Sequence, residues 1–112
     1  MTIKEKIIKA VNDYVKKNGY ETWMSKKEFY DFVNSCYEGN IKTQSLIPTD
    51  YCYNRYNFGW EGVWLLEYDE NKKLFRLLGE NYPYTGDVWH FPQGQSPYIY
   101  GHWSKGILKR YY

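Results

Sequence analysis

The stretch Ile47-Pro48-Thr49-Asp50-Tyr51-Cys52-Tyr53-Asn54-Arg55-Tyr56-Asn57-Phe58-Gly59-Trp60 decides how the chain is read. It crowds aromatic rings, two amides, one guanidinium and one carboxylate together. Its Pro-Thr-Asp start predicts a helix entry, with Thr49 as N-cap and Asp50 in the first turn at the positive end of the helix dipole. Gly59 predicts the stop. On such a helix Tyr51, Arg55 and Phe58 share one stripe, and Asp50, Asn54 and Asn57 another. A helix needs one buried face. Tyr53, Asn54, Arg55 and Asn57 exceed that need, and such groups read base edges, stack on bases or anchor protein interfaces. The stretch therefore reads as a recognition surface, not as a reaction centre.

Two further helices are predicted before it. Ile3, Ile7, Ala10, Val11, Tyr14 and Val15 fall at helical spacing, with Thr2 and Glu5 placed as a capping box and Asn18-Gly19 as the end. Lys16 and Lys17 read as a solvated last turn. After a short extended segment over 20–24, Ser25 and Glu28 form a second capping box. Phe29, Phe32, Val33 and Cys36 make the apolar stripe of that helix, and Gly39-Asn40 its stop. A linker over 41–46 leads to the third helix.

From Glu61 the period becomes strand-like. Residues 63–68 and 74–79 predict a hairpin closed by Asp69-Glu70-Asn71-Lys72. Residues 88–92 predict a short edge strand, since Pro92 cannot donate to a ladder. Residues 98–103 predict a further strand, and the tail from Lys105 is basic and aromatic. The expected fold class is α+β: an N-terminal three-helix, winged-helix-like unit, then a β-hairpin, then an aromatic-rich C-terminal β/loop extension. Residues 1–112 form one domain, helical over 1–60 and β-rich over 61–112.

Fourteen tyrosines give two readings: a binding surface, or rings that replace Leu and Phe at half-buried positions. A net charge of +2 is weak for a nucleic-acid binder, so only local clustering could supply a basic face. Residues 1–10 are amphipathic and do not form a signal-peptide core, so reduced cysteines in a cytoplasmic protein are expected. No apolar run approaches the ~20 residues of a membrane span.

Chemistry is sparse. Cys36, Cys52, His90 and His102 lack the close pairing of a zinc motif, so no metal and no cofactor are expected; both cysteines read as small core residues on helices 2 and 3. The carboxylates are scattered, and Gly79 and Gly86 are turn glycines, not a phosphate loop. Arg55 either pairs with Asp50 or Glu61 at the surface or meets a phosphate or guanine. Arg76 either lies under the aromatic face or belongs to a wing.

Residues 48–55, Pro-Thr-Asp-Tyr-Cys-Tyr-Asn-Arg, together with Gly79-Glu80-Asn81-Tyr82-Pro83-Tyr84-Thr85-Gly86, resemble a small uncharacterised bacterial and phage domain with a Pro-[Ser/Thr]-Asp-Tyr-Cys-Tyr-Asn-Arg block. That family sometimes accompanies restriction-type nuclease domains. The resemblance covers residues 1–86 and implies a winged-helix-like, DNA-associated module in phage–host conflict. It supplies no catalytic residues. The function expected is non-enzymatic nucleic-acid binding. Tyr53, Asn54, Arg55 and Asn57 would come from helix 3, Lys72, Lys73 and Arg76 from the wing, and Lys105, Lys109 and Arg110 from the tail. The partner would be DNA or a nucleic-acid-bound protein, with a host defence nuclease as a further candidate. The alternative is a phage or mobile-element inhibitor of a host defence enzyme, of the anti-CRISPR or anti-restriction type.

Overall fold

The computed structural model describes residues 1–37, 46–58, 60 and 62–112. Helix α1 spans Ile3–Asn18 and buries Ile7, Ala10 and Val11. Its start is closed by the expected reciprocal bonds: the Glu5 amide donates to Thr2 Oγ1 at 3.1 Å, and the Thr2 amide donates to Glu5 Oε1 at 2.9 Å. At its end the Gly19 amide donates to the Val15 carbonyl at 2.8 Å, with Gly19 at φ +79°. Helix α2 spans Lys26–Cys36, is capped in the same way by Ser25 and Glu28, and buries Phe29 and Val33.

Strand β1 (Trp23–Met24) lies between the helices in sequence and pairs antiparallel with β4 (Leu74–Leu77). Strand β3 (Leu66–Asp69) pairs with β4 as the expected hairpin. In its turn Asp69 Oδ1 accepts from the amides of Asn71 and Lys72. The first sheet runs β1-β4-β3. Ile7, Val11, Phe29 and Val33 of the helices pack on Leu66, Phe75 and Leu77 of this sheet and on Leu65 just before β3. Each such fully buried side chain contributes about 1.5–3 kcal/mol.

The second sheet runs β2-β5-β6-β7, from Arg55–Tyr56, Gly86–His90, Tyr98–Ser104 and Ile107–Arg110. β2 and β5 are parallel; the other pairs are antiparallel. The register shifts once. Val88 opposes Gly101 and Trp89 opposes Ile99, so Tyr100 is an extra residue, a β-bulge. Strand alternation then puts Tyr56, Val88, His90, Tyr98, Tyr100, Trp103 and Arg110 on one face and Arg55, Asp87, Trp89, His102 and Lys109 on the other. A second core of Tyr53, Leu78, Tyr84, Val88 and Trp103 lies on the first of these faces.

This architecture overturns the expected fold class. Among the described residues there are two helices and seven strands in two sheets, mostly β, and no three-helix winged-helix unit. The expected third helix is a single 3-10 turn, Pro48–Tyr51. Ile47 stands at its N-cap with no side-chain bond, and Thr49 lies inside it. Beyond the turn the chain is extended, with Cys52 in a parallel bridge to Leu66 and Arg55–Tyr56 in a strand. Tyr, Cys and Asn are indifferent helix formers, and Asn side chains offer the backbone other partners. An extended path lets Tyr53 and Asn54 engage both sheets, which one helix face could not.

β5 is not an edge strand; it sits between β2 and β6, with Pro92 beyond its end. Cys36 is exposed and Cys52, though buried, is not helical. The expected stops at Gly39-Asn40 and Gly59, and most of the linker over 41–46, lie outside the described residues. No helix among the described residues is long and apolar enough to cross a membrane.

Candidate nucleic-acid interface

The four side chains assigned to helix 3 are held by the protein itself. Tyr53 is 2% exposed. Its hydroxyl donates to the Gly79 carbonyl at 2.7 Å and accepts from the Tyr82 amide at 3.1 Å, and its ring stacks on Tyr84. Burial pushes the Tyr53 hydroxyl up to about 12. Asn54 donates to the Tyr68 carbonyl and accepts from the Tyr68 amide, while its own carbonyl accepts from the Trp89 amide at 2.9 Å. Asn57 donates to Asp50 at 2.5 Å and to Thr49 at 3.3 Å, and accepts from the Phe58 amide. Glu61, one of the surface partners expected for Arg55, lies outside the described residues, and Arg55 takes another. It donates to Glu70 at 2.5 Å and lies 4.0 Å over the Phe91 ring. Three of the four are therefore fastenings between segments, and Arg55 is an ion-paired, stacked side chain. None reads as a free recognition group.

The basic candidates divide. Lys72 and Lys73 are exposed in the β3–β4 turn, Lys73 at φ +56°. Arg76 is no wing contact: it pairs with Glu67 across the hairpin at 2.9 Å, both side chains 23% exposed, and lies over the Trp23 ring. Glu67 also accepts from the Tyr84 hydroxyl at 2.8 Å, so this network ties the first sheet to the second core. Burial, then the Glu67 carboxylate, raise the Tyr84 hydroxyl far above its usual range. Lys105, Lys109 and Arg110 are exposed and share the β6–β7 hairpin.

That hairpin carries a charge asymmetry. The last 25 residues hold three Lys/Arg and no Asp or Glu, whereas the preceding 87 hold 12 Lys/Arg against 13 Asp/Glu. The small positive net charge is thus local. Beside it lies a continuous face of rings. Tyr56 and Tyr100 stack at 3.9 Å, and Tyr112 packs against Tyr98 and Tyr100 at 5.1 and 6.1 Å. Phe58 is 85% and Tyr112 is 76% exposed. His90 is buried at the base, edge-on to Tyr56, Phe58 and Tyr98. Arg110 lies 5.5 Å over the Trp60 ring on this same face. Burial, then Tyr100, raise the Tyr56 hydroxyl. A hydroxyl so held stays neutral at ordinary pH, so this face presents rings and guanidinium without negative charge.

Among the described residues no group of three His, Cys, Asp or Glu side chains could hold a metal ion. Burial raises the Cys52 thiol far above its usual range, which removes it as a nucleophile. His102 meets Asp87 at 2.9 Å, a half-exposed cross-strand pair.

The family model described as Domain of unknown function (DUF7225) matches residues 2–110. The chain belongs to this family. A relative from Bacillus subtilis (strain 168), the uncharacterized protein YnaC, is 36% identical over 109 residues. That stretch is 96% of this chain and 38% of the relative, so the chain spans well under half of that protein's length. No solved structure matches the chain.

For the DUF7225 domain described above, sequence reasoning missed Tyr56, Phe58, Tyr98, Tyr100 and Tyr112 as one face. The absence of acidic residues after Asp87 was a readable signal for it. The bulge at Tyr100 was not, and it brings Tyr98 and Tyr100 to the side that carries Trp103.

Proposed function

We propose that the domain is a non-enzymatic module that binds single-stranded nucleic acid on the β6–β7 hairpin and the adjoining ring face. The observation that carries this reading is the charge asymmetry: Lys105, Lys109 and Arg110 with no acidic residue after Asp87, beside exposed rings. A backbone running along the outer edge of β7, where Lys109 and Arg110 emerge on opposite faces, would meet the three cations over about 16 Å, at 3.3 Å per strand residue. Its bases would turn onto Tyr112, Phe58 and the Tyr98–Tyr100 edge, since stacking on aromatic side chains tolerates any base. Single strands are favoured over duplex because stacking on the rings needs unstacked bases. The likeness of residues 48–55 to a restriction-associated domain supports a phage or bacterial defence setting.

The test is a titration of labelled oligo-dT, and of a duplex of equal length, at two salt concentrations. Three phosphate contacts give a shallow slope of log affinity on log salt, about −2 for a single strand. The expected outcome is weak, saturable binding of oligo-dT that exceeds binding of duplex. A second reading is a protein-binding inhibitor of a defence enzyme, favoured by Phe58, a large apolar ring left 85% exposed. No binding of oligo-dT at low salt would overturn the first reading and leave the second.

A further inference from the structure

The opposite side of the second sheet carries a separate feature. A groove of about 360 Å³ opens between the sheets. Tyr68 and Glu70 come from the first sheet and its turn, Trp89, Phe91 and Pro97 from the second sheet and its loops, and Asn54 and Arg55 also line it. The volume lies in the range of ligand sites. Trp89 is 39% and Phe91 37% exposed, large rings for a surface that the second core does not need.

We infer that this groove binds a proline-rich, extended segment of another protein that carries a basic residue at one end. Among the described residues the groove lacks main-chain groups that could pair with an added strand. The Tyr68 amide and carbonyl are bonded to Asn54, and the Trp89 amide to the Asn54 carbonyl. These main-chain groups are spent, so they cannot take a ligand that binds as an added β-strand. A polyproline II segment needs no such partners. Its backbone stays solvated, its rings pack on aromatic walls, and its conformation is already ordered. Three rings and a proline are the surface such a segment uses.

Charge gives the direction. Glu70 is 53% exposed, and only its Oε2 is bonded, to Arg55. Among the described residues its Oε1 has no partner. The Arg55 guanidinium lies over Phe91 at 4.0 Å and over Tyr68 at 5.5 Å. A cation on the segment can therefore share the Glu70 carboxylate at the turn end of the groove, while the prolines lie along Trp89 and Phe91.

The probe is the peptide acetyl-Pro-Leu-Pro-Pro-Leu-Pro-Arg-amide, followed by calorimetry and by chemical-shift mapping on the full chain. The expected result is saturable binding, with shifts at the Trp89 indole and Phe91. Trp89→Ala should weaken it about tenfold, the effect of losing one aromatic anchor. Glu70→Gln should weaken it less, and an all-Ala version of the peptide should not bind. Trp89→Ala should melt near the parent temperature and bind oligo-dT as the parent does, because the ring face lies on the other side of the sheet; the two readings thus fail separately. No saturation, shifts that map to Tyr100 and Tyr112, or full affinity in Trp89→Ala would each overturn the inference.

Discussion

The side-chain amide of Asn54 is bonded to the main chain of Tyr68 in both directions, donating to its carbonyl at 2.8 Å and accepting from its amide at 2.9 Å. One side chain thus does what a neighbouring strand would do along the open side of β3. The Trp89 amide bonds the Asn54 carbonyl, so this residue also binds the second sheet to the first. Asn54→Ala should lower stability by about 2–3 kcal/mol, because two main-chain groups lose their partners. Urea unfolding with the slope held fixed measures it. A loss below about 0.5 kcal/mol, the range of ordinary surface changes, would mean that water replaces the amide without cost.

Arg55→Ala should leave the fold intact. It removes an ion pair whose acidic partner is half exposed and a ring contact, together about 1 kcal/mol. Its affinity for oligo-dT should equal that of the parent. Weaker binding with an unchanged melting temperature would restore Arg55 as a recognition residue.

Tyr112→Ala should separate binding from folding in the other direction. Tyr112 is 76% exposed, so the melting temperature should barely move. Oligo-dT affinity should fall by about 1–3 kcal/mol if a base stacks there. Unchanged affinity would place the bases elsewhere.

The alkaline limb of stability should be steep. Tyr53 is raised from its usual 10.0 to about 12, and Tyr84 is raised further. The folded protein holds both protons after the unfolded chain has lost them, so stability is complete below pH 10 and falls as pH rises toward 12. Each raised group contributes a slope of about 1.4 kcal/mol per pH unit within its window. Calorimetric melting across that range tests this, and Tyr53→Phe should make the limb shallower. A flat profile would mean that neither hydroxyl is protected.

Gly101→Ala should weaken the β6–β7 ladder. An added Cβ would lie 2.5 Å from the Lys109 carbonyl oxygen and 3.3 Å from the Arg110 Cα, both main-chain atoms that cannot swing aside. The cost should be about 1–3 kcal/mol. Gly94→Ala is the contrast: its Cβ meets nothing within 4 Å, and only its φ of +75° is strained. Equal melting temperatures for the two variants would show that the ladder at Gly101 can spread.

The local part of the fold was legible. Thr2 with Glu5 and Ser25 with Glu28 announce helix starts, because the bonding partners lie three residues apart and depend on nothing distant. The Asp69–Lys72 turn and the strand at Tyr98 were readable for the same reason. The stretch from Pro48 was not. Pro-Thr-Asp opens a 3-10 turn and an α-helix alike, and the choice falls to partners far along the chain: Leu66 for Cys52, Tyr68 for Asn54, Trp89 for Arg55. The candidate site was half legible. Lys105, Lys109 and Arg110 stand together in the sequence, but no pattern says that Arg76 is spent on Glu67, or that a bulge sets Tyr100 on the face of Trp103.

The rings described above bear on how this protein looks in polarised light. Trp60, Trp64 and Trp103 follow one another at 5.2 and 5.0 Å, near right angles, and Tyr56 and Tyr100 lie almost face to face. Chromophores so close share their excited states. The circular dichroism of the folded chain should therefore carry bands from coupled side chains on top of the peptide signal, and a secondary-structure content fitted to that spectrum would misjudge a chain this rich in strands. Infrared amide bands, which those rings barely touch, are the sound measure of its helix and sheet.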